Sequence, residues 1–158
     1  KKSDYRLIAV VDNTKEINMV TTLEVNEVLR SSYGTSTYYK RFPFYKMVYT
    51  DGVMAFCEKC DAHWFVDMVG SYMPAVEKDH KETEETFYMA KLFVNDNHQA
   101  RFVITKEIYN DQVEQYEEID IAEQDIEYTD LPKCEVKMYL ELAQWQPPLF
   151  CLLCPSEH

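Results

Sequence analysis

Residues 86–108 read TFYMAKLFVNDNHQARFVITKEI, and this stretch decides the fold. Two runs rich in aromatic and aliphatic residues, Thr86–Val94 and Ala100–Ile108, flank the turn-forming triplet Asn95-Asp96-Asn97. Runs of this length with a period of two, separated by a polar turn, are typical of an antiparallel hairpin. We therefore predict that the two runs pair as neighbouring strands.

Three more strands are expected after the hairpin. Glu117–Ala122 alternates acidic and apolar residues, and Glu135–Leu142 alternates in the same way. Leu149–Leu153 is a short apolar run that follows two prolines. Alternation predicts strands with one buried face, and the last run is consistent with a buried strand.

The residues before the hairpin are predicted to be mostly helical. Thr21 or Thr22 can cap a short helix over Leu23–Tyr33, and Tyr38–Tyr49 favours a bent or edge segment, or two short strands, around Pro43. Val53–Tyr72 is predicted to be one long helix, apolar on nearly all sides and ended by Gly70 and Pro74. We interpret Glu77–Glu85 as a charged linker.

These elements predict an α+β fold. The expected architecture is an antiparallel sheet of four to five strands packed on one long buried helix, with a shorter N-terminal helix. Residues 1–18 are expected to be a leader or appendage, with a short strand or unstructured stretch at residues 5–11, and residues 19–158 to form a single α+β domain.

Composition narrows the classes of function. The chain has 158 residues, of which 46% are hydrophobic, and a net charge of −12. Its three glycines, Gly34, Gly52 and Gly70, are too scattered to form a phosphate-binding loop. No apolar run approaches the roughly 18–20 residues of a membrane span. The acidity argues against direct binding of nucleic acid or of an anionic membrane.

The negative charge is concentrated in residues 107–130, which contain ten acidic residues and no Lys or Arg. Like charges at this density repel one another unless water or a basic partner surrounds them. A solvated strand face accounts for such a segment, and so does a binding face for a basic protein. The candidate binding residues are Glu114, Glu117, Glu118, Asp120, Glu123, Asp125 and Glu127.

The cysteines suggest an alternative. Cys57 and Cys60 form one C-x-x-C pair and Cys151 and Cys154 another, a spacing found in zinc sites, although buried packing and a redox pair also fit it. Cys60, His63 and Asp67 are spaced to align along one helix, as a thiol-dependent site would need. Asp67 falls in the apolar stripe, where a carboxylate must be paired or protonated.

Five cysteines without a secretory signal favour a reducing cytoplasm.

Several motifs resemble those of an uncharacterised domain family of small bacterial and phage or mobile-element proteins. They are Gly34-Thr35 with Tyr39-Lys40-Arg41, the stretch from Tyr49-Thr50-Asp51-Gly52 to Trp64-Phe65-Val66-Asp67, Ile126–Pro132 with the strand after it, and the terminal Leu152–His158. The resemblance covers roughly residues 20–158 and implies no activity. If the family has a functional site, the resemblance implies that Thr50, Asp51, Asp67 and Glu157 are the residues to inspect first.

These observations lead to one functional expectation and one alternative. We expect a non-enzymatic, cytoplasmic module without a cofactor, which binds a basic protein through the acidic segment. If the family resemblance extends to origin, that partner is expected to be a host or defence protein. A homo-oligomer is also compatible with a helix that is apolar on both sides. The alternative is a small zinc- or thiol-dependent protein that uses Cys57, Cys60, His63 and Asp67.

Overall fold

The hairpin predicted at residues 86–108 lies inside a seven-stranded sheet. The structure is a computed structural model that describes residues 19–158, so the predictions for residues 1–18 lie outside the described part of the chain. The strands are β1 (Tyr39–Arg41), β2 (Phe44–Tyr49), β3 (Phe87–Val94), β4 (Ala100–Asn110), β5 (Gln115–Ile126), β6 (Cys134–Ala143) and β7 (Leu149–Leu153).

The sheet has the strand order β1-β2-β7-β6-β3-β4-β5. Among the strands of residues 19–158, only β2 and β7 pair in parallel, and the other neighbours are antiparallel. The mixed α/β class is therefore confirmed, but the prediction of four to five strands is too low. The two additional strands come from Tyr38–Tyr49, for which two short strands are one of the predicted alternatives, and Pro43 lies in the tight turn between β1 and β2.

The single long helix predicted over Val53–Tyr72 is wrong. Two helices replace it, α2 (Asp51–Cys60) and α3 (His63–Ser71). They follow the N-terminal helix α1 (Thr22–Arg30) and precede a further helix, α4 (Met73–Thr83). The first break is at Asp61, whose backbone is left-handed with φ 49° and which ends α2. An aspartate tolerates that conformation better than most residues.

The charged linker predicted at Glu77–Glu85 is also wrong, because most of it belongs to α4. Pro74 lies in the first turn of α4, where a missing N–H costs nothing, so it begins a helix instead of ending one. Met73 and Val76 are buried, and most residues after Val76 are charged. No helix between residues 19 and 158 is long and apolar enough to span a membrane.

The helices and one face of the sheet enclose a common core. Val25 of α1, Phe56 of α2 and Phe65 of α3 are fully buried together with Phe102 and Leu140 of the sheet. Thr21 caps α1 with a reciprocal bond to Glu24, as the sequence predicts for its N-terminus. The parallel pairing of β2 with β7 brings the start of α2 beside the chain's C-terminal turn, Pro155–Glu157.

Candidate functional site

The carboxylate of Glu157 lies at the N-terminus of α2, where it accepts four hydrogen bonds. Its Oε1 accepts from Thr50 Oγ1 at 2.6 Å and from the Cys154 amide at 2.9 Å. Its Oε2 accepts from Thr35 Oγ1 at 2.6 Å and from the Gly52 amide at 3.1 Å. The positive end of the helix dipole favours a carboxylate at this position.

Local sequence explains how this arrangement forms. Thr50 is buried and extended, and its hydroxyl accepts from the Val53 amide as the N-cap of α2 while it donates to Glu157. A Cβ on Gly52 would come within 2.6 Å of the Glu157 Cδ, so only glycine admits the carboxylate this close. Thr50 and Glu157, two residues the family resemblance implicates, are thus in direct contact.

Asp51, the first residue of α2, holds the loop before β1. Its Oδ2 accepts from the amides of Ser36 and Thr37 at 3.0 and 3.2 Å, and its Oδ1 accepts from the Tyr39 hydroxyl at 3.2 Å. These bonds, above all that from the Ser36 amide, hold the pKa of Asp51 below its usual value. Asp51 and Glu157 therefore fix the same loop from two sides.

Asp67 is not buried in the apolar stripe, as the sequence suggests, but lies half-exposed at the surface. It forms a two-pronged ion pair with Arg41, with Nε–Oδ1 at 2.5 Å and Nη2–Oδ2 at 3.2 Å. Arg41 and Tyr39 are alternate residues of β1, so this short strand connects the Asp67 pair with the Asp51 contacts. Within residues 19–158, no hydrogen bond or ion pair joins Asp67 directly to Thr50, Asp51 or Glu157.

Sequence reasoning missed the roles of Thr35, Gly52 and Arg41. Thr35 and Arg41 belong to motifs that carry the family resemblance, but their partners are 122 and 26 residues away along the chain. No local pattern reports such contacts. From the sequence, Gly52 could be interpreted only as a turn residue before a helix.

The acidic segment places half of its ten carboxylates on β5, which is an edge of the sheet, and Glu114 and Glu127 flank that strand. The seven predicted binding residues, Glu114, Glu117, Glu118, Asp120, Glu123, Asp125 and Glu127, are all exposed. Glu118 pairs with Lys91 at 2.6 Å, and Arg101 pairs with both Asp120 and Glu123. Glu114, Glu117, Asp125 and Glu127 have no ion-pair partner in the described part of the chain. Four of the seven carboxylates are thus uncompensated.

The five cysteines are all free and buried. Burial raises the pKa of Cys57, Cys151 and Cys154 to about 12, and that of Cys60 and Cys134 to about 11, which disfavours the reactive thiolate. Cys60 ends α2 and His63 begins α3, so the two do not share the helix that their spacing assumes. Among the described residues, no three His, Cys, Asp or Glu side chains are grouped to hold a metal ion.

A model of a known protein family matches nearly all of the described chain. A model described as a family of unknown function, DUF6876, matches residues 23–158. The chain belongs to this family. The resemblance to an uncharacterised domain family is thereby confirmed, whereas the DUF6876 description carries no statement of a phage or mobile-element origin.

The DUF6876 match includes the Glu157 contacts, the Arg41–Asp67 pair and the whole of β5. No curated protein and no solved structure matches the chain.

Proposed function

We propose that this DUF6876 protein binds a basic partner protein along the acidic edge strand β5. The observation that carries the proposal is the combination of an edge position with uncompensated charge. In the described chain β5 has a neighbouring strand, β4, on one side only, which leaves backbone N–H and C=O groups available on the other. An edge strand of this kind is a common docking site for an extended segment of another protein.

The negative charge on β5 favours a basic partner over a second copy of the same strand. Two copies of the same acidic edge repel each other, and charged residues on an edge strand are a known protection against such pairing. A segment rich in Lys and Arg would instead place its side chains beside carboxylates such as Glu117 and Asp125. Opposite charges directly across two paired strands stabilise the pair, whereas like charges destabilise it.

The length and exposure of the strand also support this function. β5 spans 12 residues, and its outer residues Gln115–Asp120 are all exposed. Exposed aromatic side chains, Tyr109 and Tyr116, contact each other at its far end. Tyrosines beside charged residues are enriched in protein interfaces, because they add contact area at a small cost in conformational entropy.

The proposal can be tested by charge reversal with a matched control. The variant changes the four uncompensated residues, Glu114, Glu117, Asp125 and Glu127, to Lys. The control changes four exposed acids outside the segment, Glu27, Glu58, Glu82 and Glu135, to Lys. Both variants alter the net charge equally, so a difference between them reports the location of the charge and not its total.

The partner is first captured from cells of the source organism by a photo-reactive residue placed on β5, and is then purified. We expect the β5 variant to bind it at least tenfold more weakly than wild type at 50 mM salt, with little change for the control. Binding by wild type should weaken as the salt concentration rises. Equal losses for both variants, or none for the β5 variant, would show that β5 is only a solvated edge.

A further inference from the structure

A cavity of about 330 Å³ lies where the end of β5 meets the junction between α2 and α3. It is large enough for one long side chain, and the Trp64 ring, half-buried against the core, forms part of its wall. The lining residues are Cys60, Asp61, Trp64, Ile126, Tyr128, Thr129, Asp130 and Leu131. None of the interactions described above uses this cavity.

Two carboxylates at the cavity have no counter-charge. Asp61 and Asp130 are exposed, and no ion pair within residues 19–158 includes either of them. The nearby lysines are occupied, because Lys59 pairs with Glu24 at 3.0 Å and Lys133 pairs with Asp96 at 3.8 Å.

The backbone adds to this negative potential. Asp61 is the C-cap of the ten-residue helix α2, so its carboxylate lies at the negative end of the helix dipole. That is an electrostatically unfavourable place for an acid. The Asp61 carboxylate and the carbonyl groups at the end of α2 therefore add to the same negative potential.

Aromatic rings complete the site. Trp64 is the ring type that attracts cations most strongly, and Tyr128, whose hydroxyl donates to Asp130 at 3.0 Å, lies beside it in the lining. This hydrogen bond raises the pKa of Tyr128, so the phenol stays a donor and holds the Asp130 carboxylate in place. Carboxylates together with an indole ring match the planar, cationic guanidinium group.

We propose that this cavity binds the guanidinium group of an arginine side chain. Because Asp130 closes the acidic segment and Ile126 ends β5, an arginine at one end of a segment lying along β5 would reach it. The assignment of that arginine to a basic partner rests on the function proposed above. The affinity of the cavity for guanidinium does not, and can be measured on the protein alone.

The test uses n-propylguanidinium chloride as the probe and n-propylurea as its neutral, nearly isosteric control. A Trp145→Phe background leaves Trp64 as the only tryptophan, so fluorescence reports the cavity. We expect saturable quenching by the cation with a Kd on the order of 1 mM at low salt, typical of a seven-atom ligand, and no saturation by the urea.

The Asp61→Asn and Asp130→Asn variants should each weaken propylguanidinium binding at least fivefold. Asparagine tolerates the left-handed backbone at position 61, and its carbonyl can keep the bond from Tyr128 at position 130. Glu58→Gln, an exposed acid on α2 outside the cavity, should leave the Kd unchanged, and circular dichroism verifies the fold of each variant. The proposal is overturned if propylurea binds as tightly as propylguanidinium. It is also overturned if neither Asn variant weakens propylguanidinium binding.

The same variants separate this inference from the proposed function. One outcome is that the β5 charge-reversal variant binds the partner as wild type does, while propylguanidinium binds wild type and Asp61→Asn weakens that binding. The cavity proposal then holds, and the edge-strand function is wrong. If the partner needs β5 but propylguanidinium does not bind, the cavity proposal is wrong and the edge-strand function stands.

Discussion

Replacing Glu157 by glutamine should destabilise the protein, because the four hydrogen bonds at the start of α2 need an acceptor at both oxygen positions. Each oxygen accepts one hydroxyl and one backbone N–H. Whichever way a glutamine amide turns, its NH2 group faces the N–H of either Gly52 or Cys154, and that bond is lost. A rotating threonine hydroxyl can adapt, but a backbone N–H cannot.

The magnitude follows from the strength of such bonds. A hydrogen bond to a charged group contributes about 1.5–3 kcal/mol, and removing the charge also loses the favourable interaction with the helix dipole. We expect Glu157→Gln to lower the free energy of unfolding by about 2–3 kcal/mol. For a chain of this length that corresponds to a fall in Tm of about 5–10 °C.

Urea unfolding followed by tryptophan fluorescence measures this loss. The matched control is Glu141→Gln on β6, whose half-exposed carboxylate pairs, within the described residues, only with the His158 ring at 2.9 Å and should contribute less than about 1 kcal/mol. If Glu157→Gln costs no more than Glu141→Gln, the Glu157 carboxylate does not hold the C-terminal turn to α2.

Three further predictions concern other parts of the molecule. The folded-state pKa of Asp51 is lowered, so the stability difference between wild type and Asp51→Asn should be fully present at pH 7 and shrink as the pH falls below about 4, the ordinary pKa of an aspartate, towards the lowered folded-state pKa; urea midpoints across pH 3–7 would show a constant difference if this is wrong. Lys106→Met leaves Asp79, which it contacts at 2.8 Å, without its buried counter-charge and should cost about 3 kcal/mol, part of it recovered by adding Asp79→Leu, which also removes the acceptor of the buried Tyr88 hydroxyl; additive losses in thermal unfolding would contradict this. The five buried thiols should react with a disulfide reagent at pH 8 at least tenfold more slowly in the native protein than in urea, and a fast native phase would refute their burial.

The sheet could be predicted largely from local pattern, because its strands have clear period-two alternation. The β3–β4 hairpin and the strands β6 and β7 are found within a few residues of their predicted bounds. The helices could not be bounded in the same way. A break at Asp61 depends on one residue in a left-handed conformation, and Pro74 is equally compatible with the end of one helix and the start of the next.

The misinterpreted charged stretch has a related cause. Residues 77–83 look like a solvated linker, because only a narrow stripe of α4, which includes Val76, faces the core. Asp79 is nevertheless held by Lys106 of β4 and the Tyr88 hydroxyl of β3. Polar contacts between distant elements therefore position this charged helix. No short stretch of sequence contains both partners of such a contact.

The candidate site shows the same limit. Thr50 and Glu157 are 107 residues apart, and they meet because β2 and β7 pair in parallel. The family resemblance could nominate both residues, but not their contact. The uncompensated charge on β5 was predictable from composition, whereas its position at the sheet edge was not.

The most direct test of binding through β5 is hydrogen exchange of the protein with and without its purified basic partner. Edge amides that pair with or lie beneath a docked segment exchange more slowly. Binding through β5 predicts new protection concentrated in residues 115–126, with none in β1 at the opposite edge. Protection elsewhere on the molecule, with β5 unchanged, would contradict it.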